Sequence, residues 1–199
     1  MKNVTVVILA AGTSSRMGQS KQLLQVHGTS MIRRAVNTAL ASSSRGVVVV
    51  TGKDSAAIVN ELADSRITVV HNPAYLLGIG SSLKLALKKV IAVYPDTDAV
   101  IVLVADQPMV TAAHLRKIIA TFEASGSQLI ASSYSGTFGV PALFARKFFD
   151  AVLQVDDTEG AKKVLKKYES ELLLLDFPEG SIDLDTPEDL ARFLANEKK

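Results

Sequence analysis

The chain has 199 residues, a length that suits one domain able to bury a core. Hydrophobic residues make up 48% of it and charged residues 21%, with a formal net charge of +2, so the composition excludes a disordered chain and gives no sign of binding to nucleic acid or a membrane surface. The absence of cysteine excludes disulfides, cysteine-ligated zinc, iron–sulfur clusters and thiol nucleophiles, and it fits a protein of the reducing cytoplasm. The apolar runs are far too short to cross a bilayer.

The first half of the chain alternates short apolar segments with segments of helical periodicity. In chain order we predict a strand at Val4–Ala10, a loop to about Gly28 with a short helix around Lys21–Gln25, a helix capped by Ser30, a strand at Val47–Val50, a helix at Ser55–Ala63, a strand at Ile67–Val70, a helix at Ser81–Val93, a strand at Ala99–Val104 and a helix capped by Thr111. The strands are compact and rich in β-branched residues, which is typical of strands buried on both faces.

The second half alternates less regularly. It predicts strands at Leu129–Ser132 and Leu172–Leu175, helices near Arg146–Leu153 and Gly160–Tyr168, and a last helix capped by Thr186 with Pro187 at its first position. The whole pattern predicts a three-layer α/β fold with a Rossmann-like open sheet, mostly parallel and covered by helices on both faces. Ligands of such folds bind at the carboxyl ends of the strands, where the pattern places the loop from Ala11, the turn at Asp106 and the segment Asp183–Asp185.

The loop after the first strand lies within "LAAGTSSRMGQSKQLL", which runs from Leu9 to Leu24. Five residues separate Gly12 from Gly18 and Lys21 follows three later, a spacing that excludes a P-loop, and the third glycine of a dinucleotide fingerprint is absent. The backbone N–H groups of this loop, together with Arg16 and Lys21, have the chemistry to surround a triphosphate. A surface loop with solvated cations explains the same residues, and the spacing alone favours neither hypothesis.

Carboxylates occupy the other two positions at the predicted ligand edge. Asp106 in "VIVLVADQP" follows a buried strand, and carboxylates combined with phosphate oxygens are the usual ligands of Mg²⁺. Asp183 and Asp185 alternate along an extended stretch, so either one is a candidate to complete a metal site. Each aspartate also has a competing structural explanation. Asp106 could be a turn residue before Pro108, and Asp185 could help to start the last helix.

The sequence shows no GxSxG elbow and no evident Ser/His/Asp set, and His27, His71 and His114 lack metal-ligand spacing. Nucleotidyl and phosphoryl transfer need positioned charges more than a covalent nucleophile, so the absence of a nucleophile is compatible with them.

The opening motif followed by "ADQP" resembles the nucleotidyltransferases of the molybdenum-cofactor guanylyl/cytidylyltransferase type. Within that group, "GIGSSL", "GVPALF" and "DLDTPEDL" are most similar to the molybdopterin cytidylyltransferase branch. One segment departs from the family's pattern: the family carries G-D-x-G-A before a late helix, whereas Val155–Leu165 is "VDDTEGAKKVL". This departure bears on the identity of the acceptor and on the branch of the family. It does not affect the residues expected to bind the nucleotide.

The resemblance implies a role for each matching residue. Arg16, Lys21 and Asp106 would be the catalytic residues, with Asp106 holding Mg²⁺ and Asp185 as a second carboxylate. The residues that would bind the nucleotide are Leu9, Ala10, Ala11, Gly12, Arg16, Lys21, Gly80, Ser81, Ser82 and Asp106. Gly139 and Pro141 would lie on the acceptor side. The chain would form a single nucleotidyltransferase domain over residues 1–199, with a nucleotide-binding part at about 1–110 and an acceptor-binding part at about 111–199.

The activity implied by the resemblance is Mg²⁺-dependent transfer of a nucleotidyl group from an NTP to a phosphate-bearing acceptor, with release of pyrophosphate. Ala11 stands where guanylyl enzymes typically have a second glycine, so CTP is the expected donor. The expected acceptor is molybdopterin, in cytoplasmic maturation of the molybdenum cofactor for a molybdoenzyme of the xanthine dehydrogenase type. Two alternatives stay open: a sugar- or polyol-phosphate nucleotidyltransferase of the same fold, and a nucleotide-binding chaperone without catalysis.

Overall fold

The computed structural model describes residues 2–13, 19–63 and 66–196. The strands are β1 (Val4–Ala10), β2 (Gln25–Val26), β3 (Thr29–Ser30), β4 (Gly46–Thr51), β5 (Ile67–His71), β6 (Ala99–Val104), β7 (Leu129–Tyr134), β8 (Thr137–Ala145) and β9 (Leu172–Asp176). The α-helices are α1 (Met31–Leu40), α2 (Ser55–Glu61), α3 (Ile79–Val93), α4 (Ala112–Ser125), α5 (Phe149–Leu153), α6 (Ala161–Lys167) and α7 (Pro187–Asn196). Short 3₁₀ helices lie at Lys21–Leu23, Tyr75–Leu77, Arg146–Phe148, Glu169–Glu171 and Pro178–Ser181.

A seven-stranded sheet forms the central layer, in the order β5-β4-β1-β6-β8-β7-β9. Strands β5, β4, β1 and β6 are parallel, β8 runs antiparallel to both of its neighbours, and β9 is parallel to β7. The strand order reverses between β1 and β6, because the chain adds β4 and β5 on one side of β1 and β6 on the other. In open α/β sheets this reversal opens a crevice at the carboxyl ends of the two strands.

Helices cover both faces of the sheet, as the alternation predicts. Side chains of a strand point alternately to opposite faces, so Val7 and Leu9 of β1 pack with α3, α5 and α6, whereas Val6 and Ile8 pack with α1, α2 and α4. All seven residues of β1 are buried, which explains why its sequence is apolar throughout and does not alternate. The expected three-layer, mostly parallel α/β fold is confirmed.

The helix starts follow local capping signals. Ser30 Oγ accepts the Arg33 N–H at the start of α1, and Thr111 Oγ1 accepts the His114 N–H at the start of α4. Thr186 exchanges hydrogen bonds with Asp189 in a capping-box arrangement. Helix α7 packs outside the two helix layers that cover the sheet. Its Phe193 contributes to a small apolar cluster with Leu24, Val26, Met31 and Leu184.

Among the described residues, strand β8 is the long element that the sequence pattern does not predict. Ala131 pairs with Ala142 while Ser132 pairs with Gly139, so β8 bulges at residues 140–141. The bulge accommodates Pro141, which lacks an N–H and otherwise argues against a central strand. Because β8 is antiparallel, its first residues lie at the edge of the sheet where β6 and β7 end.

No helix within the described ranges is long and apolar enough to span a bilayer.

Candidate active site

A cavity of about 470 Å³ opens at the reversal point between β1 and β6. We call it the switch-point cavity. It is lined by Leu9, Ala11, Gly12, Thr13, Lys21, Gln22, Tyr75, Leu76, Gly78, Ile79, Ser82, Val104, Ala105 and Asp106. The carboxyl ends of β1 and β6 therefore contribute one part of its wall and the start of α3 another, which is where the sheet topology predicts a ligand.

The loop after β1 is held at both ends by Gln22, which is only 7% exposed. Its Nε2 donates to the Gly12 carbonyl oxygen at 3.2 Å, and its Oε1 accepts the Ser20 hydroxyl at 2.9 Å. These bonds fix residues on either side of the 14–18 segment, which includes Arg16 and lies outside the described residues. The predicted role of Arg16 therefore stays a prediction, as does that of Ala10, which is buried in the opposite layer of the core.

Lys21 and three aspartates meet beside the cavity. The Leu184 N–H donates to the Asp106 carbonyl oxygen at 3.1 Å, and the Leu184 side chain is buried, so the 183–185 segment is fixed against the turn after β6. The Lys21 ammonium group donates to Asp185 Oδ1 in an ion pair. The structure thus brings together Lys21, Asp106 and Asp185, residues that are far apart in the sequence.

The pKa values of two aspartates reflect this crowding. Burial raises the pKa of Asp106 above its ordinary value of 3.8, the Lys21 charge opposes the rise, and the Asp185 charge adds to it. Asp183 is an exposed residue, yet partial burial of its carboxyl group and the charges of Asp106 and Asp185 raise its pKa to about 6. A cation that entered this cluster would stabilise the ionised forms of both carboxyl groups.

The donor set fits Mg²⁺. Within the described parts of the chain, no three His, Asp or Glu side chains are grouped as a complete metal site. Mg²⁺ prefers oxygen ligands and commonly binds through one or two carboxylates, while waters and substrate phosphates complete its coordination. Asp106 and Asp185 match that requirement, although Asp185 is paired with Lys21 in the structure.

Packing explains part of the "GIGSSL" motif at the start of α3. Gly80 N–H donates to the Asp157 carbonyl oxygen at 2.8 Å, and a Cβ at Gly80 would overlap the Asp156 carbonyl oxygen and lie 2.5 Å from that of Glu159. Gly80 and Ser81 are absent from the cavity lining, whereas Ser82 belongs to it. The segment that departs from the family's pattern is therefore the one that packs against the start of α3.

Gly139 and Pro141 also lie outside the cavity lining, on β8 next to Tyr134. A Cβ at Gly139 would overlap the Tyr134 hydroxyl, so the hydroxyl can keep this position only beside a glycine. Burial raises the pKa of Tyr134 and the nearby Asp183 charge adds to the rise. Tyr134 therefore lies between Gly139, which was predicted to face the acceptor, and Asp183.

Three side chains of this region did not figure as candidates in the sequence analysis: Gln22, Tyr75 and Gln107. Gln22 and Gln107 belong to the motifs "SKQLL" and "ADQP", so the motifs could have pointed to them. Their roles could not be predicted, because these depend on hydrogen-bond partners elsewhere in the chain. Gln107 donates its Nε2 to the Gly180 carbonyl oxygen at 2.9 Å and is 8% exposed. Tyr75 carries no motif signal, and it reaches the cavity from the 3₁₀ helix before α3.

Comparison with known proteins supports the resemblance stated above. Molybdenum cofactor cytidylyltransferase of Escherichia coli (strain K12) is 28% identical over 190 residues, which cover 95% of this chain and 94% of that protein. Purine catabolism protein PucB of Bacillus subtilis (strain 168) is 30% identical over 198 residues and 92% of each chain. The crystal structure of Rv0371c from Mycobacterium tuberculosis H37Rv superposes with a TM-score of 0.84, at 26% identity over 98% of both chains, and a manganese complex of Rv0371c has also been solved. The family model of the MobA-like NTP transferase domain matches residues 6–172, so this chain belongs to the MobA-like NTP transferase family.

Proposed function

We propose that this nucleotidyltransferase transfers the cytidylyl group of CTP to the phosphate of molybdopterin, with Mg²⁺ as cofactor, and releases pyrophosphate. The observation that carries the proposal is the grouping of Lys21, Asp106 and Asp185 beside the switch-point cavity. Nucleotidyl transfer requires phosphates to be positioned and their charge to be neutralised, and these side chains supply both functions.

In the proposed reaction, an oxygen of the acceptor's phosphate attacks the α-phosphorus of CTP. The new P–O bond forms in line with the bond to the β-phosphate, which breaks as pyrophosphate leaves. Lys21, whose side chain is 12% exposed, would hold the departing phosphates as a point charge, and Arg16 would be the second cation. Asp106 and Asp185 would hold Mg²⁺, which draws negative charge from the α-phosphate when bound. The acceptor phosphate is already ionised near neutral pH, so no residue has to remove a proton.

Two considerations support CTP and molybdopterin. Ala11 lines the cavity at the position where guanylyl enzymes typically have a second glycine, and the relative from Escherichia coli is named a cytidylyltransferase. The relative from Bacillus subtilis is named for purine catabolism, a role compatible with a molybdoenzyme of the xanthine dehydrogenase type as the recipient of the finished cofactor. We further propose a single domain in which residues 1–110 bind the nucleotide and residues 111–199 bind the acceptor, in the cytoplasm.

A pyrophosphate-release assay tests the proposal. The purified protein is incubated with Mg²⁺, molybdopterin and each of CTP, GTP, ATP and UTP, and we expect release with CTP. Asp106→Asn should lower the rate by about 10²–10³, the usual cost of one charge contact at a reacting phosphate. Release that occurs only with a sugar 1-phosphate or polyol phosphate would replace the acceptor. Nucleotide binding without release for any acceptor would favour the chaperone, and wild-type activity of Asp106→Asn would contradict the metal assignment.

A further inference from the structure

A buried asparagine lies between the end of β5 and the start of α3. Asn72 is 3% exposed, and its backbone N–H donates to the Thr51 carbonyl oxygen at 2.8 Å. Its side-chain Oδ1 accepts the Ala74 N–H at 2.9 Å. Because a peptide N–H can only donate, this bond fixes which end of the amide is oxygen. The Nδ2 group must therefore face the opposite way, toward α3.

Both protons of the Asn72 amide are used there. Nδ2 lies 2.9 Å from Ser81 Oγ and 2.9 Å from Ser82 Oγ, so both serine oxygens act as acceptors. Ser81 directs its own hydroxyl proton to carbonyl oxygens, those of Gly78 at 2.8 Å and Ala74 at 3.0 Å. For Ser82, no acceptor in the described part of the chain takes the hydroxyl proton.

Ser82 is 2% exposed and lines the switch-point cavity. A buried hydroxyl that donates to nothing is unfavourable, so an acceptor atom of whatever fills the cavity would complete its bonding. The lining residues nearest to Ser82 in the chain are Tyr75, Leu76, Gly78 and Ile79, none of which carries a charge. An uncharged wall of this kind suits a nucleobase, whereas Lys21 and Asp106 suit the phosphates.

We propose that Asn72 is a positioning residue for base recognition: by donating to Ser82 Oγ it fixes the Ser82 hydroxyl as a hydrogen-bond donor toward an acceptor atom of the base. The inference rests on the proposed function only in that the cavity takes a nucleoside triphosphate. A base that presents a carbonyl oxygen or an unprotonated ring nitrogen to Ser82 is favoured. A base that presents an N–H at that point is rejected.

The substitution Asn72→Asp tests the proton arrangement with almost no change of shape. A carboxylate accepts where the amide donated, so the Ser82 proton turns toward residue 72 and the cavity meets a lone pair. We expect the Kd for CTP, measured by calorimetry with Mg²⁺, to rise about 10–100-fold, and that of Ser82→Ala about 3–10-fold. The double variant should bind no more weakly than Ser82→Ala. Asn60→Asp, which makes the same change on the exposed face of α2, is the matched control and should bind as wild type.

Two comparisons separate this role from charge repulsion and from damage to the fold. If Asn72→Asp acted by charge repulsion, it would lower the CTP affinity of Ser82→Ala as much as that of wild type. Such additive losses of affinity would overturn the proposal. Inorganic tripolyphosphate, which lacks a base, should bind wild type and Asn72→Asp with the same Kd. A loss of tripolyphosphate affinity as large as the loss of CTP affinity would also overturn the proposal. If thermal unfolding shows that Asn72→Asp does not fold, Asn72→Ala replaces it, with a loss of about 3–10-fold in CTP affinity that again vanishes in the Ser82→Ala background.

The binding measurements need no turnover. If CTP binds as described but pyrophosphate is never released, the proposed function fails and the role of Asn72 stands. If turnover is normal and the coupling between Asn72 and Ser82 is absent, the role of Asn72 fails alone.

Discussion

Removing the Lys21 charge should affect stability and turnover by separate routes. The Lys21 side chain is 12% exposed and the Asp185 side chain 35% exposed, so Lys21→Met takes the Lys21 charge away from a partly buried carboxylate. Breaking a fully buried pair costs about 3–5 kcal/mol; the exposure of Asp185 reduces this to about 1–3 kcal/mol. For a chain of this length that corresponds to a fall in Tm of about 2–12 °C. Turnover should fall by about 10²–10³, because the phosphates lose a charge contact.

The double variant Lys21→Met/Asp185→Asn separates the two effects. Neutralising Asp185 removes the carboxylate that has lost the Lys21 charge, so most of the lost Tm should return in a thermal unfolding experiment. Pyrophosphate release should stay low, because Lys21 is still missing from the phosphates and residue 185 no longer offers a carboxylate to Mg²⁺. A double variant as unstable as Lys21→Met would refute the ion-pair explanation. A double variant with restored turnover would show that Lys21 acts only through Asp185.

Two other predictions concern residues around the site. Gly80→Ala should destabilise the protein by about 2–4 kcal/mol in chemical denaturation, because the new Cβ would overlap backbone carbonyl oxygens of the neighbouring loop; Gly160→Ala, whose Cβ would meet a flexible side chain at 3.2 Å, is the control and should cost much less. Burial lowers the pKa of His114 from 6.5 to about 4, so between these pH values the unfolded chain binds a proton that the folded chain does not. The stability of wild type relative to His114→Gln should therefore fall as the pH is lowered from about 6.5 to 4, and a constant difference would contradict the buried, neutral histidine. Because both proteins keep Asp183, its raised pKa cancels from this comparison.

The parts of the fold that depend on local signals could be predicted from the sequence. Val4–Ala10 is predicted and observed with the same bounds, since an apolar, β-branched segment has few other stable environments. Ser30 and Thr111 cap the helices that they were expected to cap. Strand β8 could not be predicted, because Gly139 and Pro141 argue against a strand locally, and the bulge that accommodates them exists only once β7 lies alongside.

The same distinction holds for the site. Lys21 and Asp106 could be placed at one edge because they follow the parallel strands β1 and β6, whose carboxyl ends meet there. Asp185 was expected at the same edge, but what holds it there is the hydrogen bond from the Leu184 N–H to the Asp106 carbonyl oxygen. The surroundings of Gly80 could not, because its close contacts come from residues 156–159, whose position the sequence does not reveal. The proton arrangement at Asn72 is likewise hidden, since it depends on hydrogen bonds that form only when β5 and α3 meet.

The proposed reaction breaks a bond at the α-phosphorus of the nucleotide bound in the switch-point cavity. We would follow the fate of CTP labelled separately at the α- and γ-phosphorus, in the presence of Mg²⁺ and molybdopterin. We expect the α-label to appear in the acceptor product and the γ-label in pyrophosphate, and both transfers to be lost in Lys21→Met. Transfer of the γ-label to the acceptor, or two labels that stay together in intact nucleotide, would contradict the proposed reaction.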